Sequence, residues 1–206
     1  PWIIGFLVFT FGPIVASVVL SFCDYDVLHA ARFIGLENYR SLFTDDWPYV
    51  RKTLGNAIFL AGLGIPLGML TGLSLALLLN AKESGMSGYR TAYYLPAIVP
   101  TVASAVLWLW VLNPYDYGLV NSILKATLTS WFGVQPPSWL ADERWAKPAL
   151  ILMGLWGAGG GMIIWLAGLQ GIPAHLYEAA QLDGARLWHQ FRHVTLPMLS
   201  PTIFFN

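Results

Sequence analysis

The stretch TLGNAIFLAGLGIPLGMLTGLSLALLLNA, residues 53–81, contains no Asp, Glu, Lys or Arg. It exceeds the roughly 20 apolar residues needed to cross a bilayer. Three more stretches, residues 1–23, 91–115 and 148–177, are equally free of charge and also exceed that length. All eleven acidic and all eleven basic side chains fall outside the four runs. A chain that sorts its charges in this way is an integral membrane protein. Lipid offers a backbone amide no partner, so each run must be a helix that satisfies its own hydrogen bonds. The expectation is an all-α, polytopic transmembrane helical bundle with spans over 2–22, 54–79, 92–112 and 148–169, and a fifth beginning at Met198.

The composition agrees. The 206 residues are 56% hydrophobic and 11% charged, with a net charge of zero, against about 25% charged residues in a soluble domain. The absence of a basic excess argues against nucleic-acid binding. Cys23 is the single cysteine, so an intrachain disulfide, a CxxC redox pair and a thiolate metal site are excluded. The first run lacks the basic n-region and the small-x-small site of a cleaved signal and reads as a true span. Residues 1–206 read as one transmembrane domain. It begins without Met and stops in a fresh apolar run, so the chain is expected to be truncated at both ends.

Within the spans, Gly64, Gly68, Gly72 and Ala76 lay a strip of small side chains along one helix face, suited to close helix packing, and Pro66 should kink that helix. Gly157, Gly159, Gly160 and Gly161 cluster in the fourth span, which implies a loosened helix or a closely approached surface. Met153, Trp156, Gly157 and Gly160 share a face by i, i+3, i+4, i+7 spacing. An aromatic beside exposed backbone suits a sugar ring, although glycine clusters in membrane helices more often mark helix crossings. No ionisable side chain lies within a span, which disfavours an ion-coupled carrier. Ser74 in Gly72-Leu73-Ser74-Leu75 faintly resembles an intramembrane protease site. All four histidines lie outside the hydrophobic spans, so Ser74 has no general base. His189 and His193 have metal-like i, i+4 spacing without a third ligand. No GxxxxGK[ST] motif is present, and no cofactor is expected.

Between the fourth and fifth spans, residues 170–197 read as two short polar helices. Pro173 stands near a helix start, Asp183-Gly184 is a helix stop with glycine at positive φ, and Leu187, Trp188, Phe191 and Val194 recur at helical spacing. Pro197 should close this second helix. Taken alone, such a segment also fits an interfacial helix resting on lipid headgroups. Charge counting does not orient it. Arg32, Arg40, Arg51, Lys52, Lys125, Arg144 and Lys147 lie on one side against Lys82, Arg90, Arg186 and Arg192 on the other, and the positive-inside rule would put residues 170–197 outside.

Glu178-Ala179-Ala180, Gly184 and Val194-Thr195-Leu196-Pro197 together resemble the signature of permease subunits of binding-protein-dependent ABC importers, Glu-Ala-Ala, three residues, Gly, nine residues, Ile-x-Leu-Pro, with Val194 in place of Ile. Phe33-Ile34-Gly35-Leu36-Glu37-Asn38-Tyr39, Tyr117-Gly118-Leu119-Val120-Asn121 and Asp183-Gly184-Ala185 resemble the carbohydrate-importer branch. The resemblance implies a type I ABC importer permease fold in a prokaryotic inner or plasma membrane, with a core of six spans and residues 170–197 cytoplasmic. Glu178 would contact an ATPase subunit, Ala179 and Ala180 would pack, Gly184 would turn, and Asp183, Leu196 and Pro197 complete the coupling set. It further implies an ABC ATPase dimer, a second permease subunit and an extracytoplasmic solute-binding protein as partners, a sugar-like solute, and a substrate role for Met153, Trp156, Gly157 and Gly160. An ion-coupled secondary transporter and a non-transport scaffold are the alternatives.

Overall fold

A computed structural model describes residues 1–81, 83–129, 133 and 135–205. Backbone contacts divide the chain into two units, residues 1–57 and 58–206.

In the first unit, helix α1 (Trp2–Leu20) is apolar along its length and none of it is buried within protein. Trp2 and Phe9 are 80% and 82% exposed, a surface that suits lipid and not water. The helix widens to π spacing over Leu7–Phe11 immediately ahead of Gly12-Pro13. Proline lacks an N–H and its ring collides with the carbonyl four residues back; one wide turn absorbs both defects. Strands β1 (Cys23–Asp24) and β2 (Arg32–Phe33) then pair antiparallel, Cys23 opposite Phe33. Gly35 turns the chain at φ +66° into α2 (Glu37–Phe43). Asn38 Nδ2 donates to the carbonyls of Ser21 (2.9 Å) and Cys23 (3.0 Å), Tyr39 shares a 2.6 Å hydroxyl bond with Ser21, and its ring lies 5.5 Å from Phe22. The motif at residues 33–39 thus closes the chain onto the end of α1.

The second unit is helical. Helix α3 (Trp47–Leu79) runs through Pro66 as one element, followed by α4 (Met86–Ile98), α5 (Thr101–Val111), α6 (Leu119–Leu124), α7 (Ala146–Trp156), α8 (Gly159–Gln170), α9 (Ala174–Leu182), α10 (Leu187–Gln190), a π turn over Phe191–Thr195, α11 (Leu196–Met198) and α12 (Ser200–Phe205). Ala76 and Leu79 of α3, Met162, Trp165, Leu166 and Leu169 of α8, Ile172 and Leu199 form the buried core. A Cβ on Gly72 would lie 3.1 Å from the Trp165 ring and one on Gly64 4.0 Å from Ile151, whereas Gly68 meets nothing. The small-residue strip therefore packs at its two ends. In the connection after α5, Asn121 is fully buried; it donates to the Pro114 carbonyl at 3.0 Å and accepts from Trp139 Nε1 at 2.7 Å. A Cβ on Gly118 would lie 2.1 Å from the Asn113 carbonyl oxygen, which accounts for the glycine and the asparagine of the motif at 117–121.

Three expectations need correction. The run over 92–112 is two helices, α4 and α5, meeting at 94°. Val99 (ψ 127°) is extended, because a residue before proline is driven out of the helical region, and Pro100 (ψ 139°) follows it as the residue capping the start of α5. The run over 148–169 is also two helices, α7 and α8, bent by 51° at Gly157 and Ala158. Pro197 does not end its helix. It sits in the first turn of α11, directly after the π turn over Phe191–Thr195, so its missing N–H is absorbed as at Pro13.

Candidate functional site

Helix α9 starts after Pro173, whose ψ of 132° is still extended, and ends in a Schellman cap. The Ala185 N–H donates to the Ala180 carbonyl at 2.9 Å and the Gly184 N–H to the Gln181 carbonyl at 3.0 Å, with Gly184 at φ +77°. The signature residues Ala180, Gly184 and Ala185 are thus the parts of one helix stop. Glu178, Ala179, Asp183 and Gly184 are exposed and Ala180 is half-buried. The tip that the turn projects is apolar: Leu182, Leu187 and Trp188 are 90%, 83% and 65% exposed. Leu196 and Pro197 are exposed on the returning helix. The structure places the predicted coupling residues on this one helix-turn-helix, which is rooted in the core through Leu176, Tyr177 and Val194.

Sequence reasoning missed the polar ties behind it. The Tyr177 and Thr195 hydroxyls lie 3.0 Å apart, Thr195 Oγ1 donates to the Gln190 carbonyl at 3.4 Å, and Gln190 Nε2 donates to the Ala185 carbonyl at 2.8 Å. Tyr177 adjoins Glu178, which was the available signal. Arg90 was missed as well: its Nε and Nη2 donate to the Leu79 carbonyl at 3.0 and 2.7 Å, capping the C-terminus of α3 from α4.

The four predicted substrate residues do not share one helical face, because the bend at Gly157 interrupts the register. Met153 and Trp156 are half-buried on α7, with Gly157 exposed at its end. Gly160 lies beyond the bend, where an added Cβ would sit 3.4 Å from Ala97 of α4, and one on Gly159 would sit 1.9 Å from the Tyr93 carbonyl oxygen. The glycine cluster thus both loosens the helix and admits another helix's backbone. Trp156 meets Trp108 of α5 edge to face, ring centroids 5.8 Å apart. Trp108 Nε1 is buried and makes no hydrogen bond.

His189 and His193 stack with centroids 6.1 Å apart, and His193 Nδ1 lies 3.1 Å from the His189 carbonyl. Among the described residues no group of three or more His, Cys, Asp or Glu side chains could hold a metal.

Residues 64–206 match the family described as binding-protein-dependent transport system inner membrane component. The chain is 38% identical over its whole length to a probable ABC transporter permease protein, YesP of Bacillus subtilis, and spans 65% of that protein. It is 36% identical, over 96% of its length, to the trehalose/maltose transport system permease protein MalF of Thermococcus litoralis, again spanning 65% of the relative. A crystal structure of a bacterial ABC transporter involved in the import of the acidic polysaccharide alginate superposes with a TM-score of 0.80 at 30% identity, covering 98% of this chain and 66% of that one. The fold is therefore that of an ABC importer permease. With most of its length matched and its helices laid out in the same fold, the chain belongs to the inner membrane components of binding-protein-dependent transport systems.

Proposed function

We propose that the chain is the transmembrane subunit of an ATP-driven importer that moves a sugar or related solute into the cytoplasm by alternating access. In this reading residues 170–197 face the cytoplasm, and the tip of α9 and α10 docks into an ABC ATPase dimer. A second permease completes the pathway and an extracytoplasmic solute-binding protein delivers the solute. The observation that carries the reading is the capped helix-turn-helix itself, with Glu178 exposed on α9 and an apolar tip at Leu182, Leu187 and Trp188. Exposed apolar groups clustered beside a charge mark an interaction site. ATP binding in the motor would move α9 as a rigid lever, and the bend at Gly157 would let α7 and α8 change their mutual angle.

Trp156, with Met153, Gly157 and Gly160, is proposed to line the solute path. Aromatic faces suit the CH faces of a sugar ring, and the unpartnered Trp108 Nε1 beside Trp156 would pair with a solute hydroxyl once the path opens. The sugar class is supported by the trehalose/maltose relative.

The test is a set of single cysteines at Leu182 and Trp188 in the assembled importer, crosslinked in membranes. Capture of the nucleotide-hydrolysing subunit is expected, and Glu178→Lys should abolish uptake while membrane insertion is retained. Labelling of the same cysteines from the outside of intact cells would overturn the orientation and with it the coupling role.

A further inference from the structure

Glu178 stands on α9 beside Tyr177, whose hydroxyl ties that helix to the rest of the segment. Among the described side-chain bonds of α9, Tyr177 alone reaches the returning helix. The Tyr177 and Thr195 hydroxyls lie 3.0 Å apart, a pair in which either can donate, and Thr195 Oγ1 also lies 3.4 Å from the Gln190 carbonyl. The Tyr177 and Thr195 hydroxyls and the Gln190 carbonyl thus form one polar cluster between the two helices. Separately, Gln190 Nε2 donates to the Ala185 carbonyl, one residue past the turn at Gly184. Thr195 and Gln190 are 5% and 8% exposed, so these bonds are shielded from competing water.

The geometry depends on the π turn. A helical threonine ordinarily bonds the carbonyl four residues back, whereas Thr195 bonds the one five back, because the turn over Phe191–Thr195 is widened ahead of Pro197. The wide turn ahead of the signature's Leu196-Pro197 brings the Thr195 hydroxyl between Tyr177 and the Gln190 carbonyl.

We propose that Tyr177 and Thr195 are positioning residues that lock α9 to the returning helix, so that a push received at Glu178 moves both helices together instead of flexing the loop. This rests on the coupling role proposed above and assigns its rigidity to one hydroxyl pair.

The experiment uses the complete importer in proteoliposomes and reads solute imported per ATP hydrolysed. Tyr177→Phe removes only the hydroxyl and should lower that ratio about five-fold, the weight of a single hydrogen bond, with the ATPase subunit copurifying at normal yield. Thr195→Val removes the same pair together with the contact to the Gln190 carbonyl and should lower the ratio at least as much, Thr195→Ser should restore it, and the Tyr177→Phe/Thr195→Val pair should be no worse than Thr195→Val alone. An unchanged ratio in Tyr177→Phe, effects that multiply in the pair, or a Thr195→Ser as poor as Thr195→Val would each overturn the proposal. Should Thr195→Val fail to assemble, Tyr177→Phe decides alone. Capture of the ATPase by a cysteine at Leu182 separates the two readings: capture with an unchanged ratio rejects only the lock, and no capture rejects the coupling role beneath it.

Discussion

A methyl group added to Gly184 would meet nothing within 4 Å, yet the residue holds φ at +77°, a region that costs an L-residue about 1–2 kcal/mol. Gly159 is the converse case: its backbone is ordinary helix, but a Cβ would lie 1.9 Å from the Tyr93 carbonyl oxygen, which no rotamer change can relieve. Gly184→Ala is therefore expected to lower the stability of the purified importer modestly, by about 1 kcal/mol, and Gly184→Asn by less, since asparagine tolerates positive φ. Gly159→Ala should lower the yield of folded permease far more than either. Comparing apparent melting temperatures and membrane yields of the three variants checks the order. Trp108 offers a further test. A buried donor without an acceptor costs about 1–3 kcal/mol, and Trp108→Phe keeps a ring against Trp156 while removing that donor. The variant is expected to be at least as stable as the parent and to have a raised KM for uptake with unchanged ATPase binding; an unchanged KM would remove Trp108 from the solute path.

At the scale of elements, the last carbonyls of α3 lack intrahelical partners, and Arg90 supplies two charge-assisted donors to the one on Leu79. Bonds of this kind are worth about 1.5–3 kcal/mol. Arg90→Gln is expected to reduce hydrogen-exchange protection in the last turn of α3 by about ten-fold or more, with Arg90→Lys intermediate because an ammonium cannot reproduce the two-donor fork. Exchange of peptides covering 74–80 measures it. The contrast with α9 explains what could be read from the sequence. The stop at Gly184 was legible because Asp183-Gly184 is a local signal, and the starts of both helices of the 170–197 segment follow from local pattern, whereas the continuation through Pro197 does not. Arg90 was not, because its acceptor is a backbone carbonyl, which any residue possesses. The loosening at Gly157 was signalled by the glycine cluster, whereas its angle and the break at Pro100 were hidden for a different reason. A charge-free run reports that lipid surrounds it, while the direction of its axis depends on two backbone angles at Val99 and Pro100. The shared face assigned to Met153, Trp156, Gly157 and Gly160 failed with the second break.

At the scale of the whole molecule, the placement of charge bears on the source of energy. Helices α1, α5 and α8 contain no Asp, Glu, Lys or Arg. In α3 the charges are Arg51 and Lys52, near its start. Lys147 of α7 lies in the first turn with its Nζ 5.4 Å above the Phe59 ring, and Arg90 of α4 is engaged with Leu79. Carriers driven by a proton or sodium gradient keep an ionisable side chain at depth to hold the coupling ion, and among the described residues these helices place none there. On the coupling role proposed above, uptake by the intact importer is expected to persist when an ionophore collapses the ion gradients at constant ATP, and to be lost when ATP is depleted with the gradients held. Membrane vesicles with separately controlled ATP and ion gradients give both arms. If uptake followed the gradient instead, the coupling ion would have to be held by backbone carbonyls or uncharged side chains, for which the freed backbone at Gly157 and Val99 would be the places to look, and α9 would have no engine to obey.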